Sequence, residues 1–179
     1  MTGEESTGRT ELLNGFQIYF ELRGSREPLL LLHGFSGSSQ NWTDAATKAL
    51  EGFQLIVPDL RGHGRSGILT APFRHQDAAS DVAALLEHLG ISSCKGLGIS
   101  GGGNILLHVA TRRPGLMTAM VLVSSTPYFP AQARPIMRRY ADDLSVPSGT
   151  SCARLIRTET PKSMPSFRAP KPSRKAMTT

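Results

Sequence analysis

Nine residues, Gly96-Leu97-Gly98-Ile99-Ser100-Gly101-Gly102-Gly103-Asn104, restrict the fold more than any other stretch of the 179-residue chain. They contain G-x-S-x-G, read as Gly98, Ile99, Ser100, Gly101 and Gly102. Apolar residues precede it, as in a buried strand, and a helix-like run from Asn104 to Ala110 follows. A serine on a sharp strand-to-helix turn is held in a strained backbone conformation. Neighbouring chain can pass that close only where the flanking residues are glycines. The hydroxyl is then exposed above the sheet edge, and the helix N-terminus offers unpaired N–H groups to a developing oxyanion. A serine hydroxyl is a poor nucleophile by itself. It needs a base, and a residue that orients the base.

The surrounding pattern alternates strand and helix. Glu11 to Leu22 reads as a hairpin about the turn signal Asn14-Gly15, with Phe16, Ile18 and Phe20 on one half-buried face. Pro28 to His33 is a short apolar run, as expected of a strand buried on both faces. A Gly/Ser-rich loop, Gly34 to Ser39, leads to a helix expected over Asn41 to Leu50. Phe53 to Asp59 is the second buried strand, and Leu60 to Gly67 is all turn chemistry. Ala79, Val82, Ala83, Leu86 and Leu89 recur at helical spacing within Gln76 to Leu89. Cys94 to Ile99 is the third buried strand, followed by the serine turn and a helix to about Arg112. Met117 to Val123 is expected as a fourth buried strand. This alternation predicts a mostly parallel, doubly wound α/β sheet with an antiparallel start. In such sheets chemistry collects at the carboxyl ends of the strands, where Gly34-Phe35, Asp59 and Ser100 fall.

Composition excludes several classes. The net charge of +6 lies wholly in the tail. Residues 1–147 carry 13 basic and 13 acidic residues, while residues 148–179 carry seven basic residues and one acid, Glu159. The main body therefore gives no reason to expect a nucleic-acid or membrane partner. Cys94 and Cys152 are too few and too isolated for a disulfide framework or a zinc site, so neither metal nor cofactor is expected. The polar, acidic start does not resemble a signal peptide, and Leu29 to Leu32 is too short to span a bilayer. A cytoplasmic location is the default expectation.

Three segments in order resemble the N-terminal part of an alpha/beta hydrolase. They are Leu32-His33-Gly34-Phe35, Pro58-Asp59-Leu60-Arg61-Gly62-His63-Gly64-Arg65-Ser66 and Gly98-Ile99-Ser100-Gly101-Gly102. They match the family's oxyanion strand end, its D-x-R-G-x-G-x-S loop and its nucleophile elbow, over roughly residues 12–126. The resemblance implies Ser100 as nucleophile, with the N–H groups of Phe35 and Gly101 as oxyanion hole. Serine rather than aspartate at the elbow disfavours the haloalkane dehalogenase and epoxide hydrolase branches. It favours hydrolysis of an ester, thioester, amide or carbon–carbon bond in a small-molecule substrate, as in proline iminopeptidase-like, lactonase-like and esterase-like members. His33, His63, Asp59 and Arg61 read as loop braces and Cys94 as an inert buried thiol. Nothing marks His75, His88 or His108 as ligands.

The family's acid and histidine follow two later strands, and this sequence has no counterpart. No histidine follows His108, and the acids after Ser100 are Asp142, Asp143 and Glu159. The organisation expected is a hydrolase core over 1–126, the start of a cap region over 127–147 with Ala131 to Tyr140 weakly helical, and a disordered basic tail over 148–179. The fold would then be incomplete and lack its last strands. A tail that binds acidic partners is one explanation. The other is a shifted reading frame near Pro147. Permitted codons for Ser148 to Thr179, read from their third base, allow an acidic, amphipathic, aromatic sequence closer to a cap region, which favours the shift. A serine hydrolase without its base is the reading; a non-catalytic binding module and a non-functional product are the alternatives.

Overall fold

A computed structural model describes residues 7–128 and 130–135. Six strands and three helices follow the expected alternation. β1 (Thr7–Leu13) and β2 (Phe16–Arg23) form the hairpin, with Asn14 and Gly15 both at positive φ, 50° and 75°. That pair of left-handed residues makes the tight turn whose twist suits paired strands. Then come β3 (Glu27–Leu32), α1 (Asp44–Lys48), β4 (Phe53–Pro58), α2 (His75–His88), β5 (Cys94–Ile99), α3 (Gly101–Arg112) and β6 (Met117–Val123). The sheet order is β1-β2-β4-β3-β5-β6. β2 pairs antiparallel with β1 and β4, whereas β3–β4, β3–β5 and β5–β6 are parallel.

The run Leu29 to Leu32 serves two cores at once, because successive strand residues face opposite sides. Leu30 and Leu32 join Ile18, Phe20 and Ile56 beneath α2 and α3. Leu29 and Leu31 join Leu55, Val57 and Trp42 on the other face. Val82, Leu85 and Leu86 of α2 and Ile105, Leu106 and Val109 of α3 are the buried stripes of their helices. With both faces covered, β3 and β4 need no polar alternation, so an unbroken apolar run is the correct signature of a central strand.

Two expectations are corrected. The helix placed over Asn41 to Leu50 is a single turn of 3₁₀ helix at Ser39–Asn41 and then α1, which starts only at Asp44. Two local caps split it. Ser38 Oγ accepts from Gln40 N–H, and Thr43 Oγ1 accepts from Ala46 N–H. Side-chain capping of this kind competes with a continuous helix. The second correction concerns β6, expected as a buried strand. It is the edge of the sheet, and Val121, Leu122 and Val123 are exposed. An apolar run alone does not distinguish a central strand from an edge strand. Of the expected cap helix, the structure describes only its start, where Ala133 and Arg134 N–H groups donate to Pro130 O. The rest of the cap region and residues 148–179 lie outside the described residues. Among the described residues, no helix is long and apolar enough to cross a membrane.

Candidate active site

β5 delivers Ser100 to the carboxyl edge of the sheet, and α3 begins one residue later. Ser100 makes the turn at φ 52° and ψ −115°. A non-glycine residue in such a region costs on the order of 1–3 kcal/mol and persists only where the surroundings impose it. Here they do. A Cβ on Gly98 would lie 2.6 Å from Gly103 N and 2.7 Å from Gly102 C. A Cβ on Gly102 would strike the carbonyl oxygens of Leu32 and His33. Strand end, helix start and the end of β3 meet because these positions carry no side chain. Ser100 N–H donates to Val123 O at 2.7 Å, and Ser100 O accepts from Asn104 N–H and from the Ser125 hydroxyl, each at 3.1 Å. β6 and the chain after it thus clamp the turn, while Ser100 itself stays exposed.

The end of β3 lies against this elbow. The Cβ position of Gly34 is 3.4 Å from Ser100 Cβ. Gly37 N–H donates to Gly34 O at 3.0 Å, and Ser36 takes φ 65°, so residues 34–37 close a tight turn. The turn brings Phe35 N to 3.5 Å from the place a Gly101 Cβ would occupy. Gly101 is the first residue of α3, so its N–H has no acceptor within the helix. The structure therefore brings together the three residues singled out by sequence, Ser100, Phe35 and Gly101. Among the described residues Ser100 Oγ has no hydrogen-bond partner.

The other motif residues brace this edge. His33 Nε2 accepts from Leu60 N–H at 3.0 Å, which leaves Nδ1 to carry the proton and donate to Gly34 O at 2.8 Å. One buried imidazole thus ties the end of β3 to the loop after β4. Asp59 is wholly buried and accepts from Ser39 N–H at 2.5 Å and Arg65 N–H at 2.7 Å. Arg61 forms a two-pronged pair with Asp81 of α2, at 2.6 and 2.8 Å. His63 Nδ1 contacts Arg61 O at 2.9 Å, and its ring packs on His33, Phe35 and Phe73. Cys94 is buried, and burial pushes its thiol up to about 12, so it carries no thiolate at neutral pH. Among the described residues no group of three or more side chains could hold a metal ion.

Burial governs His33 electrically as well. Desolvation lowers its pKa from 6.5 to about 4, against the opposing Gly34 hydrogen bond. Below pH 6.5 the unfolded chain takes up a proton that the folded chain refuses. Stability is therefore full above pH 6.5 and falls as pH drops toward 4. Urea melts should show a loss of about 2 kcal/mol between pH 7 and pH 5 from this ring. Imidazole carbon shifts check the cause: His33 should remain neutral in the folded protein at pH 5, and a ring already protonated at pH 6 would contradict the prediction.

Sequence reasoning passed over one neighbour. His75, the first residue of α2, places Nε2 3.9 Å from the Gly101 Cβ position. No local pattern signals this, because packing between α2 and α3 creates it.

The family model described as alpha/beta hydrolase fold matches residues 27–170. A soluble epoxide hydrolase of Corynebacterium sp. is 31% identical over 123 residues, 69% of this chain and 43% of that protein. Lipase 3 of a Moraxella species is 38% identical over 107 residues, 59% of this chain and 34% of that protein. A non-heme haloperoxidase of Rhodococcus erythropolis is 32% identical over 116 residues, 64% of this chain and 42% of that protein. The chain thus spans less than half the length of these relatives. Among solved structures, the epoxide hydrolase CorEH superposes with a TM-score of 0.70 at 27% identity, over 85% of this chain and 56% of that one.

Proposed function

The chain belongs to the alpha/beta hydrolase fold family, and on that premise we propose that it is the nucleophile-bearing part of a serine hydrolase. Its substrate would be a small molecule with an ester, amide or related carbonyl bond. Ser100 Oγ would attack the carbonyl carbon. The carbonyl π electrons would move to oxygen, where the N–H groups of Phe35 and Gly101 would meet them. The observation that carries this reading is the left-handed Ser100 on a strand-to-helix turn, with Phe35 N 3.5 Å from the Gly101 Cβ position. A serine at the elbow supports acyl chemistry over the epoxide opening named for some relatives. A cytoplasmic site of action fits the free, buried thiol of Cys94.

The serine proton needs an acceptor. No histidine follows His108 in this sequence, so this polypeptide would lack the base that its elbow is built for. Without one, only oxyanion-hole catalysis remains, about 10³–10⁴-fold over water. We therefore expect little turnover from these 179 residues by themselves. The test is covalent labelling by a fluorophosphonate, located by peptide mass spectrometry. Slow labelling confined to Ser100 and lost in Ser100→Ala is expected. Labelling elsewhere would sink the nucleophile, and rapid labelling at Ser100 would sink the missing base.

A second reading, a binding module that keeps the fold without the chemistry, is favoured by the same lack of a base. A third, a product without function, is favoured by the exposed apolar edge of β6, an aggregation liability. Soluble monomer with a cooperative melt separates the second from the third. The basic composition from Ser148 onward supports a shifted frame near Pro147, whereas the family match, which reaches residue 170, speaks against it. An unbroken frame on resequencing the gene would remove the shift.

A further inference from the structure

Phe35 carries one of the two proposed oxyanion N–H groups, and hydrogen bonds stop short of it on either side. Gly34 O accepts from Gly37 N–H and from His33 Nδ1–H, which fixes the two ends of the turn. Between them, neither Phe35 nor Ser36 has a hydrogen-bond partner among the described residues. Ser36 also takes φ 65°, a conformation that persists only where the surroundings impose it. Packing, not hydrogen bonding, must therefore fix the tip of this turn.

The Phe35 ring supplies the anchor. His63 meets it at 5.3 Å and 80°, and Phe73 meets it at 5.4 Å and 89°. His63 and Phe73 meet each other at 5.7 Å and 81°. The three rings close a triangle of edge-to-face contacts, in which the positive edge of one ring lies on the negative face of another. Both flanking rings have footings of their own. His63 Nδ1 lies 2.9 Å from Arg61 O, and its ring packs on His33. Phe73 packs against the core beneath α2 and α3 and meets His75 edge-on. Phe73 lies outside the three motif segments, one residue before Arg74, the N-cap of α2. An apolar residue there commonly staples the first helical turn. That role alone would bear on stability and leave residue 35 untouched.

We propose that Phe73 is a positioning residue of the Ser100 site: its ring, with that of His63, clamps the Phe35 side chain and so holds the Phe35 N–H beside Gly101. This rests on the reading of Phe35 as an oxyanion-hole donor. Phe35 N and Cβ lie 3.5 and 3.9 Å from the place a Gly101 Cβ would occupy. The N–H and the root of the clamped side chain thus sit on the same spot, and a ring that shifts carries the N–H with it. Displacing a catalytic contact by about 1 Å can cost on the order of 100-fold in rate.

Backbone NMR relaxation and fluorophosphonate labelling of the full chain test this. In the wild type the Phe35 amide should be as ordered as β3, with an order parameter of about 0.85; a value below about 0.6 would overturn the proposal. Phe73→Leu keeps an apolar staple and removes the ring. It should lower the order of the Phe35 and Ser36 amides, leave Leu30 and Leu31 unchanged, and slow labelling of Ser100 about 10-fold. Phe73→Tyr keeps the ring and should restore both. Val82→Ala deletes part of a buried side chain in α2 and should lower stability with neither effect. An unchanged Phe35 amide in Phe73→Leu, no recovery in Phe73→Tyr, or equal slowing in Val82→Ala would each overturn the proposal. If Phe73→Leu does not fold, Phe73→Met takes its place, and the wild-type order parameter still decides. The two readouts keep the two readings apart. A wild type unlabelled at Ser100 removes the nucleophile, and amide order alone then judges Phe73. Labelling that Phe73→Leu leaves unchanged removes this role of Phe73 alone.

Discussion

Gly98→Ala is expected to destabilise the protein by at least about 3 kcal/mol, the upper part of the range for overpacking a closed site. The added methyl would stand 2.6 Å from Gly103 N, 2.7 Å from Gly102 C and 2.7 Å from Gly103 Cα. All three are backbone atoms, so no side chain can swing aside. Gly102, in the same helix start, already lies against the Leu32 and His33 carbonyl oxygens of the neighbouring strand, so the turn has no slack along the sheet. Against a total stability of about 5–15 kcal/mol, a loss of this size is severe. Gly101→Ala is the control within the same turn. Its methyl would meet nothing nearer than 3.5 Å, and alanine in a helix is favoured over glycine by up to about 1 kcal/mol. Urea unfolding of the two variants should shift in opposite directions. A Gly98→Ala protein with the wild-type midpoint would show that the elbow is looser than its contacts imply.

Asp59→Ala is expected to cost about 3–5 kcal/mol, the usual result of breaking a buried charged network from one side. The carboxylate is completely enclosed, and it satisfies the N–H groups of Ser39 and Arg65, which the Arg65 guanidinium also joins by donating to Ser39 Oγ at 3.0 Å. Arg65 Nε also lies 3.7 Å from it. Removing it orphans the fully buried Ser39 N–H, at about 1–3 kcal/mol, and takes the acceptor from the Arg65 N–H. Asp59→Asn keeps one acceptor oxygen and should lose less. Both variants should show faster amide exchange at Ser39 and Arg65. Exchange unchanged at those two sites, with wild-type unfolding, would count against the carboxylate as the tie. The loop also holds the sheet edge that carries Ser100: Leu60 N–H, next along the chain, donates to His33, and His33 in turn binds Gly34 O. Slackening at Asp59 should therefore reach Phe35.

The elbow, the hairpin and the central strands were legible because each depends on local chemistry. Asn14-Gly15 supplies the two left-handed residues of its turn. Leu29 to Leu32 can be apolar throughout only if both faces are covered, as they are. The two failures differ in cause. Thr43 has the ordinary look of a residue inside a polar-apolar helix, yet its hydroxyl caps a helix that starts after it. β6 shares the apolar texture of β5, but texture records what a strand could bury and not its position in the sheet.

His75 marks the boundary between the two kinds of information. By itself the sequence determined the strand–helix alternation, the strained serine turn and the glycines that permit it, because dihedral preference and side-chain volume act on neighbours in the chain. Only the tertiary structure decided which distant residues stand beside that turn. α2 and α3 pack side by side over the same sheet face, so an imidazole 25 positions before Ser100 stands beside Gly101. Proximity of that kind comes from how helices share a buried surface, and no spacing along the chain encodes it.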